Sequence, residues 1–258
     1  MSTWVLLRGL TRESGHWGDF PAQLAARLPG ARVVAVDLPG NGPLYRQRTP
    51  LRVEDIAAAC RVQLLSRPVE APFHLLAMSL GGMVALAWAA ARPAEVAGCV
   101  LLNTSVRGLS PLYRRLRPTS YPAVTAALLG TAAASEARIL KLTAQQPPPG
   151  TLDAWIALRQ RHPVSRLNAL RQLIAAARFR LPQPPPVPML VLSSAADALV
   201  DPRCSAELAA RWQLPHLQHP TAGHDLALDA GPWVAEQVES WLRTGVPAVP
   251  ERAGARFA

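Results

Sequence analysis

The sequence predicts an α/β fold: a doubly wound, mostly parallel sheet of about six strands with helices on both faces. Two observations carry this. Short apolar runs alternate with longer segments of helical spacing along most of the 258 residues, the rhythm of βα units joined by right-handed crossovers. The second is the stretch 73–91, F-H-L-L-A-M-S-L-G-G-M-V-A-L-A-W-A-A-A. An apolar run long enough for one buried strand breaks at Ser79 and the Gly81-Gly82 pair. It resumes as an Ala/Leu/Met/Trp-rich segment of good helix propensity. Strand, sharp turn, helix, with a serine at the tip, is a layout that projects a hydroxyl above the end of a sheet.

The elements follow in order. Residues 4–7 read as a first strand, leading into Arg8-Gly9-Leu10-Thr11, and 16–28 as a helix with apolar residues at Trp17, Phe20, Leu24 and Leu28. Valine-rich 32–36 is a second strand, and Asp37-Leu38-Pro39-Gly40-Asn41-Gly42 a turn-rich loop before a helix over 52–65. The serine-tipped unit comes next, then a strand at 96–102. After a long interval, 188–193 is a fifth strand, 202–212 a helix, 215–219 a weak sixth strand, and 232–242 an amphipathic helix. Residues 245–258 read as a frayed, flexible tail. The segment 106–186 breaks the rhythm, with helical stretches at 121–129, 133–142, 152–158 and 167–177 separated by prolines.

Composition narrows the possibilities. Half the residues are apolar and 17% are charged, which argues against disorder and is enough to bury one large core. The longest uncharged apolar-and-small run, 75–91, falls short of a membrane span, and residues near the start lack signal-peptide character, so the protein reads as cytoplasmic. Cys60, Cys99 and Cys204 show neither metal spacing nor an even count for disulfides.

At the serine turn, A-M-S-L-G-G resembles the G-x-S-x-G nucleophile elbow of the α/β-hydrolase superfamily, with Ala77 in place of the first glycine. Small residues are needed two before and two after the nucleophile because strand and helix approach closely there. The resemblance extends to both flanks. Arg8-Gly9 sits where the family has its His-Gly oxyanion turn, and Asp37-x-Pro39-Gly40-x-Gly42 matches a D-x-P-G-x-G loop. It implies a core of 1–105 and 187–244, without the antiparallel strand pair that usually opens the fold, and a helical cap at 106–186.

The resemblance also implies a catalytic triad. Ser79 is the expected nucleophile, and the expected acid lies just beyond the strand after the cap, where Asp197 and Asp201 both stand. Asp197 occupies the family's position; Asp201 reads as the N-cap of the next helix, with Pro202 at its first turn. Among six histidines, His224 in Thr221-Ala222-Gly223-His224-Asp225 resembles the family's histidine loop, and the order Ser79, Asp197, His224 is the one this fold uses. The implied oxyanion donors are the backbone N–H groups of Leu10 and Leu80. Arg8 and His16 are candidates to line the pocket, and a structural Arg8 tied to a carbonyl or to Asp37 is the alternative.

The expected activity is hydrolysis of a carboxylic ester or thioester through an acyl-enzyme, with no metal or organic cofactor. The alternatives are a C–C-bond or lactone hydrolase with the same triad, or a non-catalytic binding protein of this fold. Charge adds one expectation. Residues 106–186 hold eleven arginines and Lys141 against Glu136 and Asp153, a net +10, which is the whole formal charge of the chain. No nucleic-acid motif accompanies it. A basic cap of this kind would draw an anionic acyl donor, such as an acidic carrier protein or an acyl-CoA.

Overall fold

A computed structural model describes residues 2–244. The expected tail at 245–258 lies outside the described residues. Six strands form one sheet: β1 (Thr3–Leu7), β2 (Arg32–Val36), β3 (Phe73–Met78), β4 (Val96–Leu102), β5 (Met189–Ser194) and β6 (His216–His219). Their spatial order is β2-β1-β3-β4-β5-β6, and every neighbouring pair is parallel. Parallel strands are covered on both faces, so they carry near-continuous apolar sequence. Period-two alternation then divides the core. Val5, Leu7, Leu75 and Ala77 face one layer, and Trp4, Leu6, Leu76 and Met78 face the other.

The helices are α1 (Phe20–Arg27), α2 (Val53–Leu65), α3 (Leu80–Ala91), α4 (Leu112–Arg115), α5 (Tyr121–Leu129), α6 (Ala132–Thr143), α7 (Thr151–Arg161), α8 (Arg166–Arg178), α9 (Arg203–Trp212), α10 (Leu226–Asp229) and α11 (Gly231–Arg243). The layer containing Leu75 and Ala77 is closed by α2, α3 and α9, through Ile56, Leu64, Leu86, Leu208 and Trp212. The opposite layer is closed by α1, α10 and α11, through Phe20, Leu24, Leu226, Val234 and Trp241. No helix among the described residues is long and apolar enough to cross a membrane.

One expected helix is divided. Instead of 16–28, a 3-10 turn covers Ser14–Trp17, and α1 begins only at Phe20. Gly18 takes φ +51, which interrupts the helical path, and Pro21 then serves the first turn of α1. The helices between β4 and β5 fall close to where their spacing placed them. Thr131 and Ser165 cap α6 and α8 by accepting from Ala134 N–H (3.3 Å) and Asn168 N–H (3.1 Å).

The strand order positions the site. From β1 the chain steps to β2 on one side, then crosses back to β3 on the other, so the connections diverge between β1 and β3. In open α/β sheets the crevice at that switch point, outside the C-terminal ends of the strands, is where ligands bind. Leu7 of β1 pairs in register with Ala77 of β3, which brings Gly9 and Ser79 together there.

Candidate active site

Ser79 sits between β3 and α3 with φ +56 and ψ −118. A positive φ costs a non-glycine residue on the order of 1–3 kcal/mol and persists only where the surroundings enforce it. Here Ser79 N–H donates to the Leu102 carbonyl (2.9 Å), and its own carbonyl accepts from Gly82 N–H (3.0 Å) and the Thr104 hydroxyl (2.7 Å). The need for small residues is visible. A Cβ on Gly81 would lie 2.3 Å from the Leu7 carbonyl oxygen, and one on Gly9 would lie 3.1 Å from Ser79 Cβ.

His224 and Asp197 meet behind this turn. His224 Nδ1 lies 2.7 Å from Asp197 Oδ2, with the two side chains 4% and 1% exposed. The other oxygen, Oδ1, accepts from the N–H groups of Leu199 (2.8 Å) and Val200 (2.9 Å), which fixes the carboxylate's orientation. An ionised carboxylate can only accept, so Nδ1 is the donor in this contact. Asp201 does something else. Its Oδ1 accepts from Arg203 N–H (3.0 Å) at the start of α9, and its carboxylate pairs with the Arg203 guanidinium at 2.6 Å. Both aspartates thus have partners, and only Asp197 touches a histidine.

Ser79, His224, Leu10 and Leu80 all line one cavity of about 340 Å³. Among the described residues, Ser79 Oγ makes no hydrogen bond, to His224 or to any other group. Contacts of this kind commonly tighten only around a bound substrate. Leu80 is the first residue of α3, so its N–H has no acceptor one turn back. Leu10 N–H has no acceptor among the described residues either. The turn that carries Leu10 is braced from two sides. Thr11 N–H donates to Gln172 Oε1 (2.8 Å) on α8, and Gln172 Nε2 donates to Asn41 Oδ1 (2.7 Å) in the D-x-P-G-x-G loop.

Arg8 lines the cavity, but its guanidinium is occupied. It forms a two-armed ion pair with Asp225, Nη1 to Oδ1 at 2.9 Å and Nη2 to Oδ2 at 2.5 Å, with both side chains 2% exposed. It also lies 4.8 Å over the Trp17 ring. The Arg8 charge is thus met by Asp225, neither by a carbonyl nor by Asp37. His16 is not among the cavity-lining residues. Its ring is buried edge-on to Trp155, its Nδ1 accepts from Glu13 N–H (3.1 Å), and burial beside Arg12 and Arg8 drives its pKa well below the ordinary value. His16 is a neutral packing residue.

Two supports were not anticipated. Asn103, at φ +44 beyond β4, donates through Nδ2 to Ser194 Oγ (2.9 Å) and the His224 carbonyl (2.8 Å), and accepts from Ser194 N–H (2.9 Å). It ties the ends of β4 and β5 to the histidine loop; its type and its place at a strand end were the only signal. Arg117 donates to the Asp197 carbonyl (2.9 Å), and Arg114 is paired with Glu207. With Arg115 buried, these three arginines are not a free basic face for a carrier protein or a CoA. Among other nucleophiles, all three cysteines are buried, with Cys60 and Cys99 pushed up to about 12 by burial, so their thiols are inert. No cluster of metal-ligating side chains occurs among the described residues.

Searching curated proteins finds no match. Solved structures share the fold at low identity. A putative lipase from Acinetobacter baumannii AYE superposes with a TM-score of 0.76 at 23% identity, over 94% of this chain and 84% of its own. The enol-lactonase from Burkholderia xenovorans LB400 gives 0.75 at 19%, over 94% and 91%. The 2-hydroxy-6-oxo-6-phenylhexa-2,4-dienoate hydrolase from Rhodococcus sp. strain RHA1 gives 0.74 at 18%, over 94% and 90%. The model of the alpha/beta hydrolase family matches residues 4–237, and with the sheet order and the serine turn described above, this chain belongs to that family.

Proposed function

We propose that the protein is a serine hydrolase that cleaves a carboxylic ester or thioester through Ser79, His224 and Asp197. The observation that carries this is the buried His224–Asp197 contact at 2.7 Å, on a cavity whose floor holds a serine forced to φ +56. His224 Nε2 takes the proton of Ser79 as Oγ attacks the acyl carbon, and Asp197 stabilises the imidazolium that forms. The N–H groups of Leu10 and Leu80 receive the oxyanion. The imidazolium then protonates the departing alkoxide or thiolate, and water, activated by the same histidine, releases the acid. Segment 106–186 serves as the cap: it supplies Leu116, Val124, Leu128, Leu142 and Leu173 to the cavity wall, an apolar surface for the acyl chain.

The test is turnover of p-nitrophenyl esters of graded chain length, alongside acyl thioesters, lactones and a vinylogous diketone. Ester or thioester turnover, lost by about 10⁴-fold or more in a folded Ser79→Ala variant, supports the reading. An alanine variant that retains most of its activity overturns it. Turnover confined to the lactone or the diketone would keep the triad and reassign the bond.

A further inference from the structure

Five arginines are among the residues that line the cavity: Arg8, Arg12, Arg115, Arg138 and Arg159. Most have an evident counter-charge or lie in solvent. Arg8 is neutralised by Asp225, Arg12 and Arg159 share the buried Glu136, and Arg138 is exposed. Arg115 is different. It is 7% exposed, and none of its hydrogen bonds goes to a carboxylate. Nε donates to Ser105 Oγ (3.3 Å), Nη1 to the Ala177 carbonyl (3.3 Å) and Nη2 to the Ala176 carbonyl (2.5 Å), with Met83 Sδ at 4.0 Å. Nη1 therefore keeps a second N–H with no partner among the described residues.

The two carbonyls end α8, whose dipole offsets about half a charge. Burial lowers the Arg115 pKa to about 10, so the group is still a cation at neutral pH. An incompletely neutralised cation in an apolar cavity is costly in the empty protein and gains most from an entering anion. It is also close to the candidate nucleophile. Met83 N–H donates to the Ser79 carbonyl (3.4 Å), and Ser105 follows Thr104, whose hydroxyl donates to that same carbonyl.

We propose that the substrate is an ester or thioester whose acyl arm is an aliphatic chain ending in a carboxylate, and that Arg115 receives that carboxylate. This rests on the hydrolase reading and names its substrate class. The aliphatic wall of Leu116, Leu142 and Leu173 accommodates the methylenes, and the guanidinium anchors the far end. A planar fork matches a carboxylate, and pairing there supplies the charge that Arg115 lacks.

The experiment compares mono-p-nitrophenyl glutarate with p-nitrophenyl valerate, which are similar in length and differ in the terminal charge. Wild type should prefer the charged ester by about 10- to 100-fold in kcat/KM, the range of one charge-assisted contact. Arg115→Met should lose that preference through KM while keeping the valerate ester within about threefold, and Arg115→Lys should keep part of it. Equal turnover of both esters by wild type overturns the proposal. So does an equal loss on both esters in Arg115→Met, which would make Arg115 only a cap for α8. Should Arg115→Met not fold, the wild-type preference and its partial retention in Arg115→Lys decide. If wild type cleaves neither ester, the ester reading fails separately, and the triad is decided by the wider substrate panel above. Glutarate raising the melting temperature of Ser79→Ala, but not of Ser79→Ala/Arg115→Lys to the same extent, would then support the subsite alone, and no effect of glutarate would overturn it.

Discussion

Asp225→Asn isolates the contribution of the buried ion pair, because it removes the charge facing Arg8 and keeps the side chain's size. Arg8 and Asp225 are each 2% exposed and share two hydrogen bonds. Removing one partner leaves the other charge buried and alone, which costs about 3–5 kcal/mol. For a domain of this size each kcal/mol lowers Tm by about 2–4 °C, so a loss of roughly 6–20 °C is expected in a thermal melt followed by circular dichroism. Arg8→Met should cost a similar amount. The double variant Arg8→Met/Asp225→Leu should cost clearly less than the sum, because no orphan charge remains. Arg8 precedes Gly9 of the oxyanion turn, and Asp225 follows His224. Each single change should therefore also lower kcat by about tenfold, as the two turns lose their tether. Strictly additive effects, or single variants within about 1 kcal/mol of wild type, would refute the reasoning.

The two aspartates beyond β5 should separate cleanly. Asp197→Asn should reduce kcat by about 10⁴ with little change in Tm, since the amide no longer holds the required tautomer, whereas Asp201→Asn should leave kcat unchanged and cost about 1 kcal/mol or less, as the loss of a pair with the exposed Arg203. The hydrogen bond from Arg203 holds the Asp201 pKa below the ordinary 3.8. Its stabilisation is therefore present above that value and fades as pH falls through the lower folded pKa, so Asp201→Asn should flatten the acid limb of stability below about pH 4. Gly81→Ala, whose Cβ would meet the Leu7 carbonyl at 2.3 Å, should prevent soluble folding. Gly150→Ala, at φ +80 with no atom within 4 Å, should cost only about 1–2 kcal/mol. Comparable yields of the two proteins would contradict the close-approach account of the elbow.

Local signals made the sheet, the helices and the serine turn legible. Apolar runs mark five of the six strands, β6 (H-L-Q-H) being the weak one, and the close approach of α3 to β1 leaves its trace as Ala77 and Gly81. Contacts between distant segments were not legible. Arg8 and Asp225 are 217 positions apart, so nothing local tells that Arg8 is neutralised. The arginine count in 106–186 gives total charge but no direction, and the structure turns Arg115 inward while it pairs Arg114 with Glu207. His16 packs edge-on against Trp155, another contact between distant segments that nothing local announces. The break of the expected helix 16–28 comes at Gly18, whose positive φ (+51) the spacing of apolar residues does not register.

Whether Ser79 is an activated nucleophile is tested most directly by intact-mass and peptide-mass measurement after treatment with a fluorophosphonate. One adduct, located on Ser79, should form in wild type. It should form much more slowly in His224→Ala and not at all in Ser79→Ala. Labelling that persists unchanged in His224→Ala, or an adduct on another residue, would contradict the proposed triad.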